Sequence, residues 1–410
     1  MFLRSVVACC IALCSASSLS VSERKRDAVT AQRAAYFLDN NPKGASVVSL
    51  NIAKDGTLSH PIRTSTAGIG SWARWVIPNP PPPDNTGFAG PDSLYSANSV
   101  VVSGNLLFTV NAGSNTVSLF TIDPTNPQHL VLVGKPANTL GDFPVSVAYS
   151  QKLNIACVLN GGARSGVSCF SVDKSRGLTA LDSNLRSIAP AINQTTPPAG
   201  PILTASDIMF NPSSTALFVS TKGSPPSGGA TSPTLGSIYA WPVVGKAVSS
   251  TAIISKPEGV ILDFSLTFLG ADNSILVTDA AGEAYILSVS SGLQVAIKNN
   301  VVLPQDEGLA CWGVYVPSLN SAYVITATHP NITIVNPSTG AVTGTIVLPA
   351  SDQGLFDSAV DRTYLYSLTN TSNIAVVDLG ASSPKLIQDL DLSSIGPRKG
   401  WQGMAVYPSA

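Results

Sequence analysis

Asn105-Leu106-Leu107-Phe108-Thr109-Val110-Asn111-Ala112-Gly113, followed at once by Ser114-Asn115-Thr116-Val117-Ser118-Leu119-Phe120, decides how this chain is read. Apolar and polar residues alternate in both runs, many are β-branched or aromatic, and a short Asn/Gly/Ser break separates them. A period of two interrupted by turn residues is the pattern of paired strands rather than of a helix. The phrase recurs at 153–162 before 167–172, 216–223 before 237–241, 274–282 before 284–289, 321–328 before 332–335, and 363–370 before 374–377. An N-terminal copy runs over 35–40 before 45–52. Anchored on Phe37, Leu107, Ile155, Leu217, Ile275, Tyr323 and Leu365, the copies lie 42 to 70 residues apart. Repeats of roughly 40–50 residues with about four strands each are the signature of propeller blades.

The ends separate a closed ring from a linear solenoid. The first copy lacks an innermost strand, and the C-terminus supplies an unattached one, Gln402-Gly403-Met404-Ala405-Val406-Tyr407. Joining the two completes a seventh blade and removes the open edges that a solenoid would have to cap. The expected fold is all-β, a seven-bladed β-propeller in which N- and C-terminal strands share one blade.

Working outward, Arg4 precedes an apolar run over 5–13 and small residues at Cys14, Ser15 and Ala16, the layout of a secretion signal. A dibasic stretch, Arg24-Lys25-Arg26, follows. The expected organisation is a signal peptide over 1–17, a propeptide over 18–26 and one propeller over 27–410. Removing 1–26 takes away four cations and one acid, moving the net charge from −1 to −4. No basic patch points to nucleic acid, no other stretch is long and apolar enough for a membrane helix, and the chain is read as a monomer. The expected location is extracellular or in a cell wall.

Cys157 and Cys169 flank a turn, each inside an apolar β run, and facing positions on such a hairpin can form a disulfide. Cys311 is then a buried thiol. Sequons at Asn193, Asn331 and Asn370 are candidate glycosylation sites.

In a propeller the loops between second and third strands and between blades rise on one face, the top. Here these are the long ones: 63–98 with its Pro78–83 stretch, 183–207, and 222–236. Long, Pro-stiffened loops on one face predict a roofed pocket there. Inner-strand starts should aim Asn98, Ser146, Asp207, Asp263, Trp312, Asp357 and Gln402 at the funnel, with Trp401 beside the last. Nearby loops add Asp92, Asn111, Asn160, Arg164, Lys222, Glu307 and Arg398. Carboxylates, amides, cations and indoles together suit a small polar or anionic ligand, or a sugar stacked on Trp.

The segments Asn111-Ala112-Gly113-Ser114-Asn115-Thr116-Val117-Ser118, Asn160-Gly161-Gly162, Asn193-Gln194-Thr195-Thr196-Pro197-Pro198, Asn211-Pro212-Ser213-Ser214-Thr215-Ala216-Leu217-Phe218 and Thr221-Lys222-Gly223 carry a family likeness. Across its mature length the chain resembles secreted fungal 3-carboxymuconate cyclase-like proteins of the 6-phosphogluconolactonase-like propeller family. That resemblance implies a cycloisomerase or lactonase; by their predicted positions at the funnel, Arg164, Lys222 or Arg398 would hold a carboxylate and Asp207 or Glu307 would move the proton. No His/Cys/Asp cluster stands at metal spacing and no Gly loop is built to cradle phosphate, so no metal and no cofactor are expected. Enzymes of the family carry histidine and arginine at inner-strand starts, whereas Asn98 and Asp207 stand here. The three histidines, His60, His129 and His329, are expected on the surface. The alternative expectation is therefore a catalytically silent extracellular or wall glycoprotein that binds glycans or proteins.

Overall fold

The computed structural model describes residues 32–77, 87–189, 191–226, 231–305 and 308–408. The signal and propeptide segments, the whole Pro78–83 stretch and Glu307 lie outside the described residues.

The strands form seven antiparallel sheets of at least four strands, each ordered as in the chain from an inner to an outer edge. Blade 1 is the exception and the closure. Its inner strand is Trp401–Tyr407, its second Arg33–Asp39, its third Ser46–Ile52 and its outer Leu58–Ser65. Ala34 pairs with Tyr407 and Asp39 with Trp401, so the two ends of the chain share one sheet. Blades 2 to 7 begin with inner strands Val100–Ser103, Pro144–Ser150, Ala205–Phe210, Asp263–Phe268, Ala310–Val316 and Leu355–Asp361. Each inner strand packs against the next, and Trp401–Tyr407 packs against both Leu355–Asp361 and Val100–Ser103. The ring is closed.

The alternation read from the sequence becomes burial on both faces in the middle of each blade. Leu106–Asn111, Ile155–Asn160 and Ala216–Thr221 are buried at every residue, because blades press on both sides of them. Outer strands such as Lys385–Asp391 alternate with solvent. The turns between third and fourth strands repeat one device. The carboxylate of Asp55 accepts from the Thr57 backbone, Asp123 from Thr125 and Asp173 from Ser175, each at 2.8–3.1 Å. These Asx turns reverse the chain where no ladder partner exists.

Cys157 and Cys169 face one another on the second and third strands of blade 3 and form a disulfide. Cys311 is a buried free thiol. Among the described residues no helix is long and apolar enough to cross a membrane.

Candidate functional site

The top funnel is filled by the chain itself. Residues 91–98, the approach to the first strand of blade 2, lie across it as a plug tied to three blades. Lys222 Nζ of blade 4 donates to the Tyr95 carbonyl at 2.6 Å and to Ser206 Oγ at 2.8 Å. Arg398 Nη1 and Gln402 Nε2 of blade 1 donate to the Pro91 carbonyl at 3.2 and 2.8 Å. Gln402 Oε1 accepts from the Leu94 N–H, Ser96 Oγ donates to the Val145 carbonyl of blade 3, and Ala97 N–H to that of Ser206.

Two of the three cations expected to hold a ligand carboxylate, Lys222 and Arg398, are thus engaged with backbone. Lys222 also lies 4.2 Å from the Phe264 ring centre, and Arg398 4.9 Å from that of Phe356, adding cation–π attraction. Burial lowers the Lys222 ammonium to about 8, opposed chiefly by Asp92, and lowers Arg398 to about 10, opposed by Asp357 and Asp92. Burial in turn raises Asp92 to about 6, with Lys222 the largest opposing charge. The plug brings its own anion to these cations.

Asp207 stitches inner strands together. It accepts from Asn98 Nδ2 of the blade 2 approach at 2.8 Å, Ser146 Oγ of blade 3 at 3.3 Å, its neighbour Ile208 N–H at 2.8 Å and the Leu266 N–H of blade 5 at 2.9 Å. Burial outweighs these donors and raises the carboxyl to about 6.

Asn111 and Asn160 sit at the ends of second strands, where their Nδ2 groups donate to Thr116 and Ser118, and to the Thr139 and Gly166 carbonyls. Each is overlaid by a glycine from the preceding inter-blade loop. A Cβ on Gly68 would fall 2.2 Å from Asn111 Cγ, and one on Gly141 2.6 Å from Asn160 Cγ. Trp401 is buried against Phe37 with ring centres 5.0 Å apart. Arg164 is exposed and donates to the Leu140 carbonyl at 2.6 Å. His60, His129 and His329 are exposed. Asn193 is exposed, while Asn331 and Asn370 are half-buried at hairpin ends.

A cavity of about 590 Å³ does exist, and it runs along the axis beneath the plug. Its deep end is formed by Asn98, Asp207, Trp312 and Asp357. Met209, Thr267, Gly313, Ser358 and Met404 wall it, and Pro317, Ser318, Arg362 and Pro408 form its mouth. Those last residues follow the far ends of inner strands, so the opening is on the face opposite the plug. The described cavity thus opens on the face opposite the one expected, and among the described residues segment 91–98 and its partners occupy the top funnel. Sequence reading missed the wall residues, although alternation from Asp207 to Met209 and Gln402 to Met404 places them on inner strands.

No family model matches the chain, and no curated protein matches it. Among solved structures, a candidate 6-phosphogluconolactonase of Bacteroides fragilis is similar with a TM-score of 0.58 at 12% identity, covering 91% of this chain and 97% of that one. A candidate 6-phosphogluconolactonase of Bacteroides uniformis gives 0.58 at 14%, covering 91% and 99%. A protein of unknown function from Desulfotomaculum acetoxidans gives 0.57 at 12%, covering 92% and 99%. At these identities the likeness is one of fold.

Proposed function

We propose that this chain is a non-catalytic binding propeller of lactonase-like fold, acting outside the cell, whose small polar ligand enters the axial cavity from the face opposite the plug. The observation that carries the reading is the engagement of Lys222 and Arg398 by the Tyr95, Pro91 and Trp401 carbonyls. Lactone hydrolysis and muconate cyclisation both need a cation or N–H free to meet developing negative charge, beside a group free to move a proton. Here Lys222 and Arg398 hold the plug, Arg164 donates to the Leu140 carbonyl, and Asp207 holds four donors. The signal-like start and the disulfide support an oxidising, extracellular setting for a mature chain over 27–410.

The test is twofold. Incubation of the mature protein with muconates and sugar lactones, followed by NMR, is expected to show no conversion. Thermal melts against small polyols, amines and oligosaccharides are expected to show stabilisation that Met209→Trp, which fills the cavity wall, abolishes. Conversion of a muconate or lactone overturns the reading, as does a ligand shift that Met209→Trp leaves intact.

A further inference from the structure

The axial cavity has the opposite charge from the one a carboxylate ligand would require. Besides Tyr315, four ionisable side chains line it, and three are accounted for: Asp207 by its four donors, Asp361 by its ion pair with Arg33, and Arg362 by its exposed place at the mouth. The fourth, Asp357, is 2% exposed, and its Oδ2 has no hydrogen-bond partner among the described residues. Trp312, 3% exposed beside it in the lining, likewise has no partner there for Nε1. Its ring is held between Phe264 and Phe356, with ring centres 4.9 and 5.1 Å away. Buried polar atoms are ordinarily satisfied, so a carboxyl oxygen and an indole N–H without partners, on two residues that line one cavity, point to what would complete them. The carboxyl asks for a cation or a donor, and the indole for an acceptor. No cation lines the interior, while Met209 and Met404 offer soft apolar wall.

We propose that the axial cavity binds a small hydroxylated organic ammonium compound, its cation on Asp357 and its hydroxyl oxygen accepting from Trp312 Nε1. This rests on the axial cavity being the binding site. The charged and titratable groups that act on Asp357 are Asp92 of the plug, Arg398 before the closing strand, and the Cys311 thiol of blade 6. Burial raises Asp357 to about 8, Asp92 adds to that, and the Gly403 N–H and Arg398 oppose it. A bound cation needs the carboxylate form. Affinity for a permanent cation therefore falls about tenfold for each pH unit below about 8.

Isothermal titration with choline, whose charge does not titrate, tests this on the mature protein, with 3,3-dimethylbutan-1-ol as neutral isostere. Choline is expected to bind about 25-fold more weakly at about pH 6.5 than at about pH 8.5, given a carboxyl at about 8. The isostere is expected not to bind, and Asp357→Asn to remove choline binding. Met209→Trp, which leaves the carboxyl in place, is expected to remove it too and serves if the Asn variant does not fold. Equal binding of choline and its isostere, or choline binding without pH dependence, overturns the ammonium assignment. Binding of a neutral sugar or lactone that Met209→Trp blocks, without choline binding, overturns that assignment and leaves the axial site standing. Binding of no ligand by a folded protein overturns both.

Discussion

Asp207 shows how far the chemistry of a residue depends on what faces it. Its carboxylate spans the inner strands by accepting four hydrogen bonds, one from each of four segments of chain, and no lone pair is left over for a substrate. An amide offers one acceptor oxygen, and its NH2 would meet a backbone N–H. Asp207→Asn is expected to lower stability by roughly 2–4 kcal/mol, read from urea unfolding. The pH dependence has a definite sign. The folded carboxyl lies at about 6, above its ordinary 3.8, so its stabilising part is fully present below 3.8 and is lost as pH rises through 6. The Asn variant lacks that loss. Its deficit against the parent is therefore expected to be larger at about pH 4.5 than at about pH 7.5, and a constant deficit would show that Asp207 does not titrate in this window.

At the scale of elements, the blades were legible and the plug was not. Every anchor from Phe37 to Leu365 falls in a second strand, because alternation and Gly/Asn turns are local properties that sequence displays directly. Segment 91–98 has no such pattern. Its place is fixed by Lys222, Arg398 and Gln402, more than 100 residues away in the chain, and sequence reading met those side chains with nothing yet opposite them. Arg398 should be the principal latch, since its Nε also donates to the Thr369 carbonyl and its Nη1 to that of Trp401. Arg398→Met removes these bonds together while Gln402 still reaches Pro91. Hydrogen exchange of the Leu94, Tyr95 and Ala97 amides is expected to accelerate at least about tenfold, with the amides of Ile155–Asn160 unchanged. Unchanged exchange over 91–98 would mean that Lys222 and Gln402 hold the plug without Arg398.

For the whole molecule, the decisive bond is the one between its ends. Arg33–Asp39 is buried at every residue, yet its inner edge is covered only by Trp401–Tyr407. That last strand also carries Met404 into the axial wall and packs Trp401 on Phe37. A chain stopped at Gly400 would expose a long apolar edge strand and breach the cavity, the arrangement that invites pairing with other chains. It is expected to lose the cooperative unfolding transition and to elute as aggregates in size-exclusion chromatography. Closure depends on hydrogen bonds across the ring rather than on where the chain is cut. Tyr407 pairs with Ala34, so a short linker can join 408 to 32, and new ends can be opened at the exposed turn around Gly245. That permutant is expected to elute as the parent does and to unfold in one transition, with a midpoint within a few degrees. A truncated chain that unfolds like the parent would show that six blades suffice, and the shared blade would then be an ornament of the ring rather than its lock.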